Sequence, residues 1–268
     1  MKYVRFAKNE ETLFGILEGE TIKQLDGDFL TGHAELTGDV YSLSDVKLLA
    51  PVNPVQVVAI GLNYALHAEE KGKGIPDEPM MFMVSPTSII ADGEDIVLPN
   101  LEHLTEFEAE LAIVMGKQAK DVKKEEALEY VFGYTLCNDV SDRVLQKKDG
   151  QFTRAKSYPT FKPLGPVIET EIDPNNVAIK LTVNGEVKQD SNTNDLIHNV
   201  EAVIESVTEV MTLNTGDIII TGTPSGVGPL TPGDEVVLEI EGIGKLTNGV
   251  VAGRKASDRT EAATNSAK

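Results

Sequence analysis

The run Glu106-Phe107-Glu108-Ala109-Glu110-Leu111-Ala112-Ile113-Val114-Met115 constrains the fold of this chain more than any other stretch. Its alternation predicts a strand over residues 107–115, because successive strand side chains point to opposite faces. Phe107, Ala109, Leu111 and Ile113 then share one face. Glu106, Glu108, Glu110, Ala112 and Val114 share the other, and apolar residues take it over after Glu110. The glutamates therefore run toward a buried region. Buried carboxylates close together repel; they either take up protons or gather around a cation. A hard cation such as Mg²⁺, Mn²⁺ or Ca²⁺ suits oxygen ligands. On this segment alone, a strand with one solvated acidic face competes equally. A second apolar strand, residues 132–137, ends at Asn138-Asp139 and leads into a predicted helix over 140–148. Asp139 is placed either to cap that helix or to supply a third metal ligand.

The remaining apolar runs are short and split by turn residues. Strands are expected over residues 3–7, 13–18, 21–25, 57–60, 178–183, 186–189, 217–220 and 235–240. Asn184-Gly185 joins two of them as a hairpin turn with no functional role assigned to it. Helices are expected over 63–73, 124–130 and 195–212, the last from the spacing of Ile197, Val200, Val203, Ile204, Val207, Val210 and Met211. Many short strands without regular strand–helix alternation predict an α+β, mainly β chain, with a mixed sheet roll or sandwich rather than a doubly wound parallel sheet. The two-proline connector Leu49-Ala50-Pro51-Val52-Asn53-Pro54 divides it. A small β-rich unit is expected over residues 1–50, a catalytic domain over 51–253 and a disordered polar tail over 254–268.

The formal net charge of −19 over 268 residues argues against nucleic acid and anionic membrane surfaces as partners. An anionic substrate must be received by local positive charge. No apolar run of about 18 residues exists, and Met1-Lys2-Tyr3-Val4-Arg5-Phe6 has no signal region, so cytoplasmic residence is the default expectation. The lone Cys137 excludes an intrachain disulfide and a cysteine-rich zinc site.

Five ordered blocks between about residues 51 and 252 resemble the fumarylacetoacetate hydrolase superfamily. They are Gly61-Leu62-Asn63-Tyr64-Ala65-Leu66-His67; Glu108 through Gly116; Gly133-Tyr134-Thr135 through Ser141, with Arg143 and Gln146; Lys156 through Pro166; and Thr221 through Gly228. The first 50 residues resemble the small extra domain of many bacterial members. The resemblance implies a β-roll-type catalytic domain, a homodimer and a Mg²⁺ or Mn²⁺ site with Glu108, Glu110 and Asp139 as ligands. It implies an acid–base pair of His67 and Glu70, a catalytic Lys156, and a hydrogen bond from Thr223 to a substrate carboxylate.

On residue chemistry alone, His67 and Glu70 make an i,i+3 pair that is equally a surface ion pair. Lys156 is equally a solvated lysine. Arg143 and Gln146, also three apart, either hold a substrate carboxylate or leave Arg143 to bridge to Asp142 or Asp139. The glycine loop 222–228 lacks the Gly-Lys-Ser/Thr ending of a phosphate loop, which excludes nucleotide binding. The sequence departs from many members at Pro159, where an aspartate is usual, and at Val84, near a usual lysine and the expected pocket edge. Both bear on the substrate more than on the chemistry.

The implied reaction is hydrolysis of a carbon–carbon bond in a β-diketo acid, an acylpyruvate or fumarylacetoacetate, through a metal-stabilised enolate. The alternative on the same site is oxaloacetate decarboxylation or keto–enol isomerisation of a 2-oxo diacid. A third reading is a non-enzymatic acidic module with structural Ca²⁺, which would have no use for His67, Glu70 or Lys156.

Overall fold

In the computed structural model, which describes residues 1–253, the chain is α+β and mainly β. The amino-terminal unit holds β1 (Lys2–Lys8), β2 (Glu11–Glu18), β3 (Thr21–Leu25), β4 (Leu36–Ser42) and β5 (Lys47–Leu48). After the connector come β6 (Val57–Gly61), α1 (Ala65–Glu70), β7 (Met80–Val84), β8 (Ile89–Ile90) and β9 (Ile96–Leu98). The central stretch carries β10 (Thr105–Phe107), β11 (Ala109–Met115), β12 (Val131–Asn138), β13 (Ser141–Asp142), α2 (Arg143–Asp149), α3 (Thr153–Lys156) and β14 (Lys162–Glu169). Then follow β15 (Ala178–Val183), β16 (Glu186–Asn192), α4 (Val200–Val210), β17 (Ile218–Ile220), β18 (Gly228–Pro229), β19 (Glu235–Ile240) and β20 (Gly244–Ala252). The polar tail expected over 254–268 lies outside the described residues.

One large mixed sheet runs β4-β3-β2-β1-β14-β12-β11-β17-β6-β7. The amino-terminal strands join it edge to edge, through Lys2 opposite Glu169 and Tyr3 opposite Ile168. A second sheet, β16-β15-β19-β20-β9, and α4 contribute to the core that receives Phe107, Ala109, Leu111 and Ile113. Ala112 and Val114 enter a separate core with Val57, Ala59, Ile218, Ile220, Leu25 and Phe29. The alternation of β11 thus divides its side chains between two cores, and the glutamates sit at the open end of one.

Several predicted elements are shorter or broken. The strand expected over 107–115 is interrupted at Glu108, whose N–H donates to the Asn138 side chain instead of a ladder partner. The helix expected over 63–73 spans only α1: Asn63 is bonded to His198 and Thr221, Tyr64 is extended, and Gly72 has a left-handed φ of 62°. The helix expected over 140–148 starts at Arg143, capped by Asp142, whose carboxylate accepts from Leu145 N at 3.0 Å. Asp139 is therefore not its cap. Residues 124–130 form a 3₁₀ helix. In the 195–212 segment Asn199 caps α4, and Ile197 donates to Asn63 O rather than lying on the helix. The fully buried β14 escapes the alternation pattern because Pro163, Gly165 and Pro166 read as turn residues. Its prolines fall where its pairing to β12 is irregular or replaced by short β8. Among the described residues no helix is long and apolar enough to cross a membrane.

Asp217 fastens the connector to the sheet. It is 1% exposed, and its carboxylate accepts from Val55 N (3.0 Å), Gln56 N (2.8 Å), Gln56 Nε2 (3.1 Å) and Asn214 N (2.8 Å). Asp217→Ala leaves these donors without their acceptor and is expected to lower the unfolding free energy by about 3 kcal/mol. Asp217→Asn, which keeps one acceptor oxygen, should cost less. Urea denaturation checks both; an alanine variant as stable as the parent would refute the anchor.

Candidate metal and acid–base site

Strand pairing assembles the carboxylates. Ala109 lies opposite Asn138, so the start of β11 meets the end of β12, and Asp139 N donates to Glu108 O at 2.8 Å. The Asn138 side chain accepts from Glu108 N at 2.9 Å. Glu108, Glu110 and Asp139 are buried, with one carboxylate oxygen from each lying within 4.8 Å of the others. An octahedral Mg²⁺ with bonds of about 2.0–2.1 Å needs ligand oxygens about 3–4 Å apart, so the set fits a small hard cation. The all-oxygen donor set likewise suits Mg²⁺, Mn²⁺ or Ca²⁺.

The electrostatics show how costly this cluster is. Burial pushes the Glu110 carboxyl well above its ordinary value, and the charges of Asp139 and Glu108 push the same way. One Glu110 oxygen accepts from Gly222 N at 2.8 Å. Burial also opposes ionisation of Glu108, but the charges of Arg143 and Lys156 outweigh it and hold that carboxyl far below the usual range. Lys156 Nζ lies 2.6 Å from both Glu108 Oε2 and Asp139 Oδ2. Burial would lower this lysine, yet Asp139 and Glu108 raise it above its ordinary value, so it is a cation. Lys162, 1% exposed, approaches Asp139 Oδ1 at 2.7 Å. Its hydrogens go to the carbonyls of Val140, Lys156 and Phe161, so this contact is an ion pair, and among the described residues Asp139 Oδ1 accepts no hydrogen bond.

Glu108 and Glu110 line a cavity of about 530 Å³ with His67, Arg143, Gln146, Lys156 and Thr223, and Asp139 lies buried beside them. His67 Nδ1 lies 2.9 Å from Glu70 Oε2. A carboxylate only accepts here, which assigns the proton to Nδ1 and leaves Nε2 as the free basic nitrogen. Burial lowers the imidazole from its ordinary value of 6.5 more than Glu70 raises it, so His67 is neutral at neutral pH. The other Glu70 oxygen accepts from Gly226 N at 3.2 Å, tying this pair to the glycine loop.

Of the nine expected residues seven line this cavity; Asp139 lies buried beside Glu108 and Glu110, and Glu70 supports His67 without lining it. It gives Arg143 partners other than Asp142 or Asp139. Its guanidinium donates to Glu106 (2.5 Å), to Glu108, and to Gln146 Oε1 (2.8 Å). Glu106, which shares the metal-facing side of the sequence pattern, is the anchor of Arg143. Neither departure lines the cavity: Val84 is buried in the core beside β6, and Pro159 is exposed. Lys162 and Gln189 escape sequence reasoning. The signal for Lys162 is a lone charge between Phe161 and Pro163-Leu164.

Residues 56–251 match the family described as Fumarylacetoacetate (FAA) hydrolase C-terminal, and residues 1–51 match one described as Rv2993c-like, N-terminal. The chain is 41% identical to the mitochondrial oxaloacetate tautomerase fahd2 of Xenopus laevis, over 79% of this chain and 70% of that one. Its structure is similar to 5-carboxymethyl-2-hydroxymuconate delta-isomerase from Mycobacterium smegmatis, with a TM-score of 0.89 and 42% identity over 94% of this chain and 100% of that one. It is also similar to maleylpyruvate hydrolase from Sphingobium sp. SYK-6 in complex with manganese(II) and pyruvate. There the TM-score is 0.80 and the identity 29%, over 95% of this chain and 100% of that one.

A carboxyl whose folded value exceeds its unfolded one opposes folding once the pH passes the unfolded value, here about 4.5. Glu110→Gln removes that opposition while keeping an acceptor for Gly222 N. In chelator at pH 7 the variant is expected to melt above the parent. Added Mn²⁺ should raise the parent's melting temperature and leave the variant's unmoved. A variant that melts lower in chelator, or still responds to Mn²⁺, contradicts the assignment.

Proposed function

The chain belongs to the fumarylacetoacetate hydrolase family, and from that premise we propose that it catalyses keto–enol isomerisation of a 2-oxo dicarboxylic acid of the oxaloacetate type. The observation that carries the reading is a neutral, carboxylate-oriented His67 lining the same cavity as Glu108 and Glu110, two of a buried triad of oxygen donors completed by Asp139. A divalent ion held by Glu108, Glu110 and Asp139 would supply Lewis-acid polarisation of the 2-oxo acid and charge stabilisation of the enolate. The residues do the rest. His67 Nε2 takes the proton from the carbon beside the 2-oxo group and delivers it to the 2-oxo oxygen, giving the enol, or moves it the opposite way; Glu70 stabilises the imidazolium formed in between. Lys156, a cation because of Glu108 and Asp139, places positive charge near the developing oxyanion. Thr223 donates to the substrate carboxylate, and Arg143 with Gln146 forms the wall beside it.

Two similarities support isomerisation over hydrolysis: the tautomerase and isomerase relatives are 41% and 42% identical, whereas the maleylpyruvate hydrolase is 29% identical. Hydrolysis of an acylpyruvate or other β-diketo acid is the second reading. There His67 would take its proton from water instead of carbon. Decarboxylation of oxaloacetate would need no base at that position. A homodimer belongs to the same reading, and light scattering after size exclusion checks it.

Enol oxaloacetate, keto oxaloacetate and an acylpyruvate should be offered to the Mg²⁺- and Mn²⁺-loaded protein and to chelated protein. Accelerated keto–enol exchange that is lost on chelation is expected. His67→Ala should slow it by about 10²–10⁴, the usual contribution of a general base. Because burial lowers His67, kcat/KM should hold through neutral pH and fall only as the pH drops through a value below 6.5. Acylpyruvate cleavage without exchange would give the assignment to hydrolysis. Oxaloacetate decarboxylation that survives His67→Ala would give it to the decarboxylase.

A further inference from the structure

We propose that Gln189 is a positioning residue that aims the Thr223 hydroxyl at the substrate carboxylate; this rests on the proposed 2-oxo acid chemistry. Gln189 lies on β16, is 1% exposed and does not line the cavity. Its Oε1 accepts from Ala109 N at 3.0 Å, between ligands Glu108 and Glu110. Its Nε2 donates to Thr223 Oγ1 at 2.9 Å and Pro224 O at 2.8 Å, with Ser225 O farther away at 3.4 Å. This set fixes the amide one way round. Flipped, its oxygen would face two carbonyls and its N–H groups would face an N–H.

The consequence falls on Thr223. A hydroxyl accepts through its lone pairs and donates one hydrogen. Gln189 can only donate to Oγ1, so the Thr223 hydrogen cannot be spent on it. Among the described residues the hydroxyl donates to none, and Thr223 lines the cavity. Its hydrogen is therefore left for a ligand acceptor.

The backbone supports the same contact. Pairing shifts between Leu181 opposite Gln189 and Thr182 opposite Val187, leaving Lys188 as the extra residue of a bulge. The Lys188 carbonyl presses on the glycine loop: a Cβ on Gly226, which has φ +90°, would stand 2.1 Å from it. The hairpin around Asn184-Gly185 thus carries the group that orients the loop.

Gln189→Glu keeps the shape but puts an acceptor where the donor was, drawing the Thr223 hydrogen away from the cavity. The test compares the parent, Gln189→Glu, Gln189→Met, Thr223→Val and each double variant. Readouts are KM and kcat for the 2-oxo acid turned over, the affinity of Mn²⁺-loaded protein for oxalate by calorimetry, and the affinity for Mn²⁺ alone. Gln189→Glu is expected to raise KM and the oxalate Kd about tenfold, the loss of one hydrogen bond. The affinity for Mn²⁺ and kcat should stay within about twofold. In the Thr223→Val background neither Gln189 substitution should add a further loss. Gln189→Met, which removes the donor without adding charge, should weaken oxalate about threefold and carries the comparison should the glutamate variant not fold. Equal losses with and without Thr223, a fall in kcat instead of a rise in KM, or unchanged oxalate affinity in Gln189→Met overturn the proposal. Oxalate binding without turnover of any acid counts against the proposed reaction and still reads out Gln189. A parent that binds no oxalate removes the carboxylate that Thr223 would serve, and overturns it.

Discussion

Glu108, Glu110 and Asp139 repel one another in a buried setting, and much of the surrounding structure offsets that repulsion. Lys156 pairs with two of them, Arg143 with Glu108, and Lys162 with Asp139. Lys156 and Lys162 are themselves buried, Arg143 is partly so, and the two lysines would be unstable without the carboxylates. The arrangement is a mutual dependence: anions and cations are tolerable together and costly singly. Glu110 is the member the lysines and arginine serve least. It keeps one backbone donor, Gly222 N, and two repulsive neighbours. A divalent cation bound by this triad would relieve Glu110 more than its neighbours and would link ion binding to fold stability chiefly through this residue.

That dependence explains why the site needs the whole sheet. Glu110 comes from β11 and Glu108 from the residue just before it, Asp139 from the residue just after β12, Lys156 from a short helix and Lys162 from the strand beyond. The β11–β12–β14 order brings these ends together at one margin of the sheet. Both faces of β11 are packed, which excludes water from behind the carboxylates. In that low-dielectric surround each charge acts more strongly on its neighbours than it would at a surface.

Local chemistry made part of this legible. Alternation alone put Glu108 and Glu110 on one face and pointed that face inward, and both are buried. It could not separate Glu106 from them, because what distinguishes Glu108 and Glu110 is their approach to Asp139, a neighbour set by strand pairing. The ordered blocks supplied that distinction, together with His67, Glu70 and Lys156. Helix limits were overrun wherever a tertiary bond captured a residue of helical type: Asn63 by His198, Ile197 by Asn63. The proline-bearing β14 and the bulge at Lys188 were hidden because both break the pattern that identifies strands. Lys162 and Gln189 belong to this hidden class, since their roles are defined by partners far off in sequence.

The glycine loop after β17 is where these separate pieces meet. Gly222 N bonds Glu110, Gly226 N bonds Glu70, and Thr223 Oγ1 accepts from Gln189. One short loop therefore touches Glu110 of the buried carboxylate triad, the carboxylate that orients His67, and the amide of the second sheet. Its backbone must come very close to each. A Cβ on Gly222 would stand 2.9 Å from Asn63 Cβ, and Gly226 has already no room beside Lys188. Both also have positive φ, which side chains other than glycine adopt at a cost. The glycines that superficially suggest a phosphate loop serve a different need: they let the backbone act as the common donor that holds Glu110 and Glu70 in one register. A displacement of this loop would move both together, so their relative geometry is set by backbone fit more than by any one side chain.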